Sequence, residues 1–316
     1  MERIGPYDIL GRIGRGGSAD ILLASRDGQR VVLKRLHDHL AEDEIFVRMF
    51  LDEARVMSLL PHENIVRVFD LREDQGTCYT AMELVDGPAL SAVVKLAGAL
   101  PVDVLCAIGA CVADALAFVH AARDPQSGAA YDLVHRDVAA PNILLSRDGD
   151  VKLTDFGVVR SRTARTLGVL SSETTKSGTL KGRLRTMSPE QLRGEAVDAR
   201  ADLFSLGVVL WECATAQRLW KVPAPPAQAE PQGLSLGNAP LAEATAAPFD
   251  IAQQIIQTPA PPLDNAIASL VAQLLEKDRN KRPASAADVA AQLRVQAAPR
   301  EAIAQLVQSL NIPSLR

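Results

Sequence analysis

The chain of 316 residues has few of the features that mark several common protein classes. Its four cysteines (Cys78, Cys106, Cys111 and Cys213) lack the spacing of metal or redox sites, so we expect each to be a small buried hydrophobic residue. The chain has no long basic run and a formal net charge of −4, which disfavours nucleic acid as a partner. Aromatic residues make up only 4%, so alanine and leucine are expected to fill the core.

The sequence also shows no signal-peptide pattern and no membrane anchor. No uninterrupted apolar run approaches the roughly 20 residues that a membrane span needs. We therefore expect a soluble cytoplasmic protein. Its hydrophobic share of 47% is sufficient for one large domain or for two lobes with a sizeable core. The sequence indicates no particular oligomeric state.

The most informative stretch is 134–157. Two apolar runs flank a polar turn at 146–150, and the Asp-Gly pair in this turn predicts a β-hairpin. The loop entering the hairpin carries Asp137 and Asn142, and the loop leaving it carries Asp155. These side chains seek metals or accept protons, and the hairpin is expected to bring them together. Such a set suits phosphoryl transfer, in which positioning and charge neutralisation dominate.

The motifs in this stretch resemble the catalytic core of the bacterial eukaryotic-like (Hanks-type) serine/threonine protein kinases. His-Arg-Asp at 135–137 is followed five residues later by asparagine and then by Asp-Phe-Gly at 155–157. The resemblance implies an α+β, bilobal protein-kinase-like fold, with a small antiparallel β-sheet N-lobe carrying one helix and a larger, mostly helical C-lobe. It also implies ATP and Mg²⁺ as cofactors. Asn142 and Asp155 would hold the metal, and Asp137 would orient or deprotonate the attacking hydroxyl.

A glycine cluster at 14–17 lies between two strand-like segments, ahead of Lys34. Such a cluster alone usually marks only a turn, but here it resembles the kinase Gly-rich loop, in which backbone amides approach phosphates. Ala19 stands where the third glycine often is. The resemblance implies that Lys34 holds the α- and β-phosphates, with Ile21 and Val32 above the adenine ring. Besides Lys34, the implied nucleotide-binding residues are Ile13, Gly14, Gly16, Gly17, Ile21, Val32, Met82, Glu83, Val85 and Leu144.

A buried Lys34 needs an anionic partner to stay charged. Apolar residues recur at helical spacing over 41–60 and stop before Pro61, which predicts a helix that contains Glu53. The resemblance assigns Glu53 to an ion pair with Lys34. On its helix position alone, Glu53 could equally be a solvated carboxylate.

Residues 82–87 resemble the hinge between the two kinase lobes. The resemblance makes Met82 the gatekeeper and lets backbone groups around Glu83 and Val85 read the adenine edge. An alanine-rich apolar helix over 102–122 is predicted to lie beneath the catalytic loop.

The segment after the Asp-Phe-Gly motif is rich in serine and threonine, which most often indicates a solvated loop. However, Arg136 precedes Asp137, and kinases with that arginine commonly pair it with a phosphate on the activation loop. Thr175 and Ser177 are the best candidates for that phosphate by their position.

Several expectations concern the larger lobe. Glu190, in a Ser-Pro-Glu motif that resembles the kinase Ala-Pro-Glu motif, is expected to form a structural salt bridge with Arg282. Asp202 is expected to cap a buried helix at 205–214 and to accept hydrogen bonds from the catalytic-loop backbone.

The C-terminal part contains one irregular segment and further helices. Residues 221–248 are rich in proline and alanine without an apolar period, which predicts a mobile insertion between helices; an idle loop is favoured over a partner-binding segment. Ser285 is predicted as the N-cap of a helix at 286–295, and 299–311 as one more amphipathic helix. The predicted division is an N-lobe at 1–85, a C-lobe at 86–298 and a C-terminal helical extension at 299–316.

Two positions depart from the serine/threonine-kinase pattern. Ala139 stands two residues after Asp137, where a lysine usually steadies the γ-phosphate, and Arg183 replaces a threonine ahead of the Ser-Pro-Glu motif. Tyrosine kinases also have alanine near the first position and a basic residue before their own version of that motif. By analogy with other donors of this kind, loss of one charged donor costs about 2–4 kcal/mol of transition-state stabilisation, which predicts slower phosphoryl transfer.

The expected activity is transfer of the ATP γ-phosphate to serine or threonine hydroxyls of proteins, with autophosphorylation of the activation loop. One alternative is a tyrosine or dual-specificity kinase. A second is a pseudokinase scaffold that binds nucleotide with little turnover; the retained polar motif residues oppose it and Ala139 favours it. A third is a small-molecule kinase of related fold, which would generally lack the pair of Glu190 and Arg282. The protein substrate and the activating signal stay open.

Overall fold

The computed structural model describes residues 2–74, 76–156, 184–221 and 241–315. A six-stranded antiparallel sheet occupies the N-terminal part, and helices surround a two-stranded hairpin in the rest of the described chain. The predicted α+β class, with a small sheet-based lobe and a larger, mostly helical lobe, is confirmed.

Strands dominate the first lobe, and helices dominate the second. The strands are β1 (Arg3–Ile4), β2 (Tyr7–Arg15), β3 (Ala19–Arg26), β4 (Gln29–Leu36), β5 (Val68–Asp74), β6 (Thr77–Met82), β7 (Ile143–Leu145) and β8 (Val151–Leu153). The helices are α1 (Asp38–Ala41), α2 (Glu44–Ser58), α3 (Leu90–Ala97), α4 (Val102–His120), α5 (Pro189–Leu192), α6 (Arg200–Thr215), α7 (Leu241–Gln257), α8 (Ala268–Leu274), α9 (Ala286–Arg294) and α10 (Arg300–Ser309).

The large sheet has the order β1-β2-β3-β4-β6-β5. Strand β4 pairs with β3 and β6, which places Lys34 opposite Ile21. Because side chains alternate between the two faces of a strand, Val32 and Lys34 share one face of β4. Val31 and Leu33 point to the other face, where they join an apolar cluster. This alternation directs Lys34 out of that cluster and toward the larger lobe.

Helix α2 confirms the helix predicted over 41–60 but is shorter at both ends, and the short α1 precedes it, so the first lobe has two helices where one was predicted. The Asp43 side chain caps α2 by accepting from a backbone N–H of the first turn. Phe50, Ala54 and Met57 recur at helical spacing and are buried. Their burial holds the helix against the sheet.

Helices α4 and α6 form the centre of the larger lobe. Each buries twelve residues, as expected of a helix that is apolar nearly all round. A Cβ atom on Gly109 of α4 would lie only 2.9 Å from a Leu210 methyl carbon, so glycine permits the close approach of the two helices. Cys106 on α4 and Cys213 on α6 are buried as expected, as is Cys78, whereas Cys111 is only half-buried.

Among the described residues, helix α4 alone is long and apolar enough to cross a membrane by length and composition. About two thirds (67%) of that stretch is buried inside the protein, and the core helix of a folded domain meets the same criterion. Helix α4 confirms the alanine-rich apolar helix predicted over 102–122, and Asp103 and Asp114 interrupt its apolar run.

The expectations for the last third have mixed outcomes. Ser285 caps α9 by accepting from the Asp288 backbone N–H at 3.1 Å, and α10 packs through Ile303 and Val307, so both predictions are confirmed. The prediction that Asp202 caps its helix is wrong. Helix α6 begins earlier, at Arg200, and therefore encloses Asp202 in its first turn.

The predicted irregular insertion at 221–248 is corrected at its C-terminal end. Helix α7 begins at Leu241, so 241–248 are helical, and residues 222–240 lie outside the described chain. Ile251 and Ile255 lie one turn apart in α7 and are both buried, so the helix is held by its C-terminal half.

Candidate active site between the two lobes

The β7–β8 hairpin brings the predicted acidic and amide side chains together. Its strands pair in register around the turn at 146–150, as the Asp-Gly pair predicted. The Asn142 side-chain amide donates to the Asp137 backbone carbonyl at 2.9 Å, and the Asn142 carbonyl accepts from Thr154 N at 3.0 Å. The loop before the hairpin is thereby tied to the loop after it, next to Asp155.

Lys34 connects the sheet to this hairpin. Its Nζ lies 2.7 Å from Glu53 Oε1 on α2 and 2.6 Å from Asp155 Oδ1, so the predicted ion pair with Glu53 is present. Burial opposes the charged ammonium, but Asp155 and Glu53 outweigh it and raise the pKa of Lys34. Lys34 is therefore a permanent cation at a point where β4, α2 and the hairpin meet.

The backbone at two site residues is strained. Arg136 has φ +66° and Asp155 has φ +59°, in the left-handed region that non-glycine residues rarely adopt. Such conformations persist only where the surrounding structure enforces them, and they cluster at functional sites. At Arg136 the enforcing contact is its backbone N–H, which donates to Asp202 Oδ1 at 2.7 Å.

Asp202 is the buried anchor of the catalytic loop. Its fully buried carboxylate also accepts from the His135 backbone N–H at 2.8 Å and lies 2.8 Å from His120 Nε2 on α4. A buried carboxylate is costly unless it is fully hydrogen-bonded, so these three partners explain how it is tolerated. The predicted contact with the catalytic-loop backbone is confirmed.

The His135 ring lies beneath the two motif loops. Its ring centroid is 4.3 Å from that of Phe156, and its Nδ1 accepts from the Asp137 backbone N–H at 3.3 Å. Burial lowers the pKa of His135, so the neutral imidazole with a free Nδ1 lone pair is the favoured form. The ring thus supports Asp137 and the residue after Asp155 at once.

Several of the predicted adenine-binding residues lie in one apolar cluster. Val32 lies opposite Met82 in the sheet, and both are buried in this cluster together with Val85. Ile21 and Leu144 are half-buried and pack against it, whereas Ile13 on β2 is more exposed. Adenine binding by these residues stays a prediction.

The hinge is held by an ion pair that the sequence did not reveal. Glu83 Oε1 lies 2.7 Å from Lys152 Nζ on β8, and Glu83 Oε2 accepts from the Arg67 backbone N–H at 3.1 Å. Asn64, in the loop after α2, adds a link to the same hairpin, since its side-chain amide donates to the Val151 carbonyl at 3.0 Å. A lysine in a short strand gives no sequence signal for such a partner.

The residues present fit a magnesium nucleotide. A Cβ on Gly16 would lie 3.3 Å from the Ala19 carbonyl oxygen, so a side chain in the turn at 15–18 would be crowded against the backbone. Asn142 and Asp155 offer the oxygen ligands that Mg²⁺ prefers. Among the described residues no group of three or more His, Cys, Asp or Glu side chains could hold a metal.

The structural salt bridge predicted for the larger lobe is present. Arg282 NH1 lies 2.6 Å from Glu190 Oε1, and NH2 donates to Oε2 at 2.9 Å. Burial alone would raise the pKa of Glu190, but the hydrogen bonds from Arg282 lower it. The pair holds α5 against the loop after α8.

Some predicted residues cannot be placed. Gly157, Thr175, Ser177 and Arg183 lie outside the described residues. Ala139 is described and is nearly buried. A lysine side chain at this position would therefore have to leave the loop in a direction other than that of the Ala139 methyl group.

The sequence matches the model of the family "Protein kinase domain" over residues 7–293. It is 36% identical over 224 residues to the tyrosine-protein kinase MasK of Myxococcus xanthus, covering 68% of this chain and 33% of MasK. It is 33% identical over 213 residues to the serine/threonine-protein kinase PrkC of Bacillus subtilis, covering 67% of this chain and 30% of PrkC. The chain thus spans about a third of the length of these relatives.

The fold is also similar to that of a solved structure. The kinase domain of Mycobacterium tuberculosis PknI superposes with a TM-score of 0.58 at 24% sequence identity. The match covers 94% of this chain and 98% of that one. At this identity the likeness supports the bilobal fold and nothing further.

Proposed function

The chain belongs to the protein kinase family, and on that premise we propose that it transfers the γ-phosphoryl group of ATP to serine or threonine hydroxyls of proteins. The observation that carries the proposal is the position of Lys34 within 2.7 Å of Glu53 and 2.6 Å of Asp155. This cluster presents a cation beside Asp155, whose backbone is held at φ +59°, a conformation typical of functional sites.

Each polar residue has a role in this proposal. Lys34 orients the α- and β-phosphates, and Glu53 holds the Lys34 side chain in place. Asn142 and Asp155 are the residues that would hold Mg²⁺, which neutralises phosphate charge when bound. The Asp137 carboxylate orients the attacking hydroxyl and accepts its proton. Its backbone is tied at the carbonyl by Asn142 and at the N–H by His135, which restricts where the carboxylate can point.

Serine/threonine specificity is supported by the names of most relatives, among them PrkC and the Myxococcus xanthus kinase Pkn1. Tyrosine specificity is the second candidate, because MasK is named a tyrosine kinase and Ala139 departs from the serine/threonine pattern.

The chain's own tyrosines make these two candidates easy to separate. It has three tyrosines in all. Tyr7 and Tyr79 are buried in the sheet, and only Tyr131 is half-exposed, with its hydroxyl 3.3 Å from Asp124. Autophosphorylation of the folded chain on tyrosine is therefore expected at Tyr131 alone.

The test is incubation with Mg-ATP followed by phosphosite mapping, with Lys34→Ala and Asp155→Asn as inactive variants and Tyr131→Phe as the specificity control. Phosphate on Thr175, Ser177 or neighbouring hydroxyls, absent from both inactive variants, would support the proposal. Phosphotyrosine that disappears in Tyr131→Phe would establish tyrosine specificity instead. Nucleotide binding without phosphate on the chain or on generic protein substrates would identify a pseudokinase.

A further inference from the structure

The C-terminal helix α10 lies on the turn of the catalytic hairpin. Arg300 Nε donates to the Asp148 carbonyl at 2.8 Å, and Gln308 Nε2 donates to the Arg147 carbonyl at 2.9 Å. A Cβ on Gly149 would lie 2.4 Å from the Arg300 carbonyl oxygen, so backbone packs against backbone. Gly149 has φ +86°, and glycine is required there for both reasons. The helix therefore packs on the same hairpin whose ends carry Asn142 and Asp155.

The chain after α10 continues to the hinge. Ser314 Oγ donates to Asp86 Oδ2 at 2.8 Å, and the Leu315 backbone N–H donates to Asp86 Oδ1 at 2.7 Å. The Leu315 carbonyl accepts from Arg30 NH1, in the first lobe, at 2.6 Å. One short segment thus contacts the hinge and both lobes.

Asp86 is well placed to transmit this contact. It is nearly buried, with 3% exposed, so its hydrogen bonds are worth more than they would be in water. Its carbonyl accepts from Arg147 N at 2.9 Å. The next residue, Gly87, has no room for a side chain, since a Cβ there would lie 1.9 Å from the Leu145 carbonyl oxygen. Val85, whose backbone is expected to read the adenine edge, directly precedes Asp86.

We propose that residues 300–315 form a strap that fixes the hinge through Asp86, and that Ser314 and Asp86 are positioning residues for adenine-nucleotide binding. The strap is anchored on the hairpin turn by α10 and closes on the Asp86 carboxylate with two hydrogen bonds. It acts on the backbone that recognises adenine and touches no reacting atom. This inference rests on the nucleotide-binding part of the proposed function.

The strap is sensitive to charge because it closes on a carboxylate. The Ser314 hydroxyl donates to Asp86, whereas a carboxylate at position 314 would repel the nearly buried Asp86 carboxylate. The neighbouring cation is Arg147, whose Nε lies 3.9 Å from Asp86 Oδ2 and already pairs with this carboxylate. Ser314 itself is exposed, so substitution there alters the strap without disturbing the core. Ser309 is the matched control, because it is also exposed and its hydroxyl bonds only to the Leu306 carbonyl of its own helix.

The test is the affinity of the whole chain for ADP and for GDP, measured by calorimetry, in Ser314→Ala, Ser314→Asp and a chain shortened after Leu310. We expect ADP binding to weaken about tenfold in Ser314→Asp and in the shortened chain, and roughly threefold in Ser314→Ala, as expected for the loss of one or two charge-assisted hydrogen bonds. The preference for ADP over GDP should fall in parallel. Ser309→Ala and Ser309→Asp should bind both nucleotides like the parent.

A purely structural role would lower the melting temperature of the Ser314 variants and leave the ADP/GDP preference unchanged, which would overturn the inference. So would unchanged ADP affinity in Ser314→Asp, or an equal loss in Ser309→Asp. If the shortened chain fails to fold, the two Ser314 variants still decide, because they change an exposed residue. ADP binding needs no phosphoryl transfer, so a chain that shows the strap effect but phosphorylates nothing would refute the proposed function alone. In an active chain, KM for ATP should rise in Ser314→Asp while kcat stays within about twofold, since the contact is remote from the reacting groups.

Discussion

Two ion clusters in the interior pair a cation with carboxylates but differ in how fully they are buried and hydrogen-bonded: Arg282 with Glu190, and Lys34 with Glu53 and Asp155. Arg282 and Glu190 make two parallel hydrogen bonds, and the guanidinium also donates to the backbone carbonyls of Glu276 and Arg200. Their side chains are 0% and 3% exposed. Lys34 instead has a flexible stem, and its partner Asp155 is one-third exposed. The Arg282–Glu190 pair is fully hydrogen-bonded and excluded from water, which suits a structural role. The Lys34 cluster is partly exposed at Asp155, which suits a cation that binds a phosphate.

Removal of Arg282 is expected to have the largest effect on stability. Arg282→Ala leaves Glu190 as an unpaired charge in the interior, which is expected to lower the free energy of unfolding by about 3–5 kcal/mol. Chemical denaturation measures this loss. The double variant Arg282→Met with Glu190→Leu should recover a large part of it, because the buried charge is gone. A small loss in the single variant would show that the pair is not structural.

Lys34→Ala should show the reverse pattern. We expect phosphoryl transfer to fall about 10²- to 10³-fold, as for the loss of one preorganised donor, with a much smaller change in unfolding free energy than for Arg282→Ala. Initial rates and denaturation on the same preparation measure both. The two remaining carboxylates are partly exposed, so water can solvate them. A stability loss equal to that of Arg282→Ala would contradict the distinction between the two clusters.

Protonation of His135 is expected to make the free energy of unfolding depend on pH. Burial lowers its pKa in the folded state, so protons bind more readily to the unfolded chain near the ordinary value of 6.5. Stability is therefore fully present above pH 6.5 and is lost as the pH falls below it, by at most about 1.4 kcal/mol per pH unit for one proton.

The measurement is the free energy of unfolding between pH 5 and 7.5, for the parent and for His135→Phe, which keeps an aromatic ring beside Phe156. The free energy of unfolding of His135→Phe should change less steeply with pH in this window than that of the parent. Burial also lowers the pKa of His62, so a residual slope is expected from that residue. Glu190, with its lowered pKa, contributes stability above about pH 4.5 that is lost only at more acidic pH. An identical slope in His135→Phe would contradict the assignment.

The smallest expected effect concerns the partly exposed pair of Lys152 and Glu83. Lys152→Met should reduce the unfolding free energy by about 1 kcal/mol, because the Glu83 carboxylate keeps its hydrogen bond from the Arg67 backbone N–H and is 27% exposed to water. Thermal denaturation at low and high salt measures this change in stability. The control is Lys221→Met, which removes an exposed ammonium that donates to the Gln217 side chain. A loss as large as that of Arg282→Ala would show that the pair of Lys152 and Glu83 has a structural role like that of Arg282 and Glu190.

Sequence reasoning succeeded where a motif dictates both residue type and spacing. The hairpin followed from its Asp-Gly turn, and the partners of Lys34 and Arg282 followed from the family pattern. It failed at helix boundaries, because Asp202 is tolerated inside α6 by tertiary hydrogen bonds. It also missed the start of α7, because the segment before Ile251 has no apolar period to signal a helix.

The sequence by itself determined which residues must carry charge in the site, because few side chains can orient phosphates, hold magnesium or accept a proton. Only the tertiary structure decided how those residues are supported. Glu83 could have paired with any nearby cation, and Asp86 with any donor; packing of β8 and of the segment after α10 selected Lys152 and Ser314. The physical reason is that burial makes a partner obligatory, whereas chain geometry determines which partner is within reach.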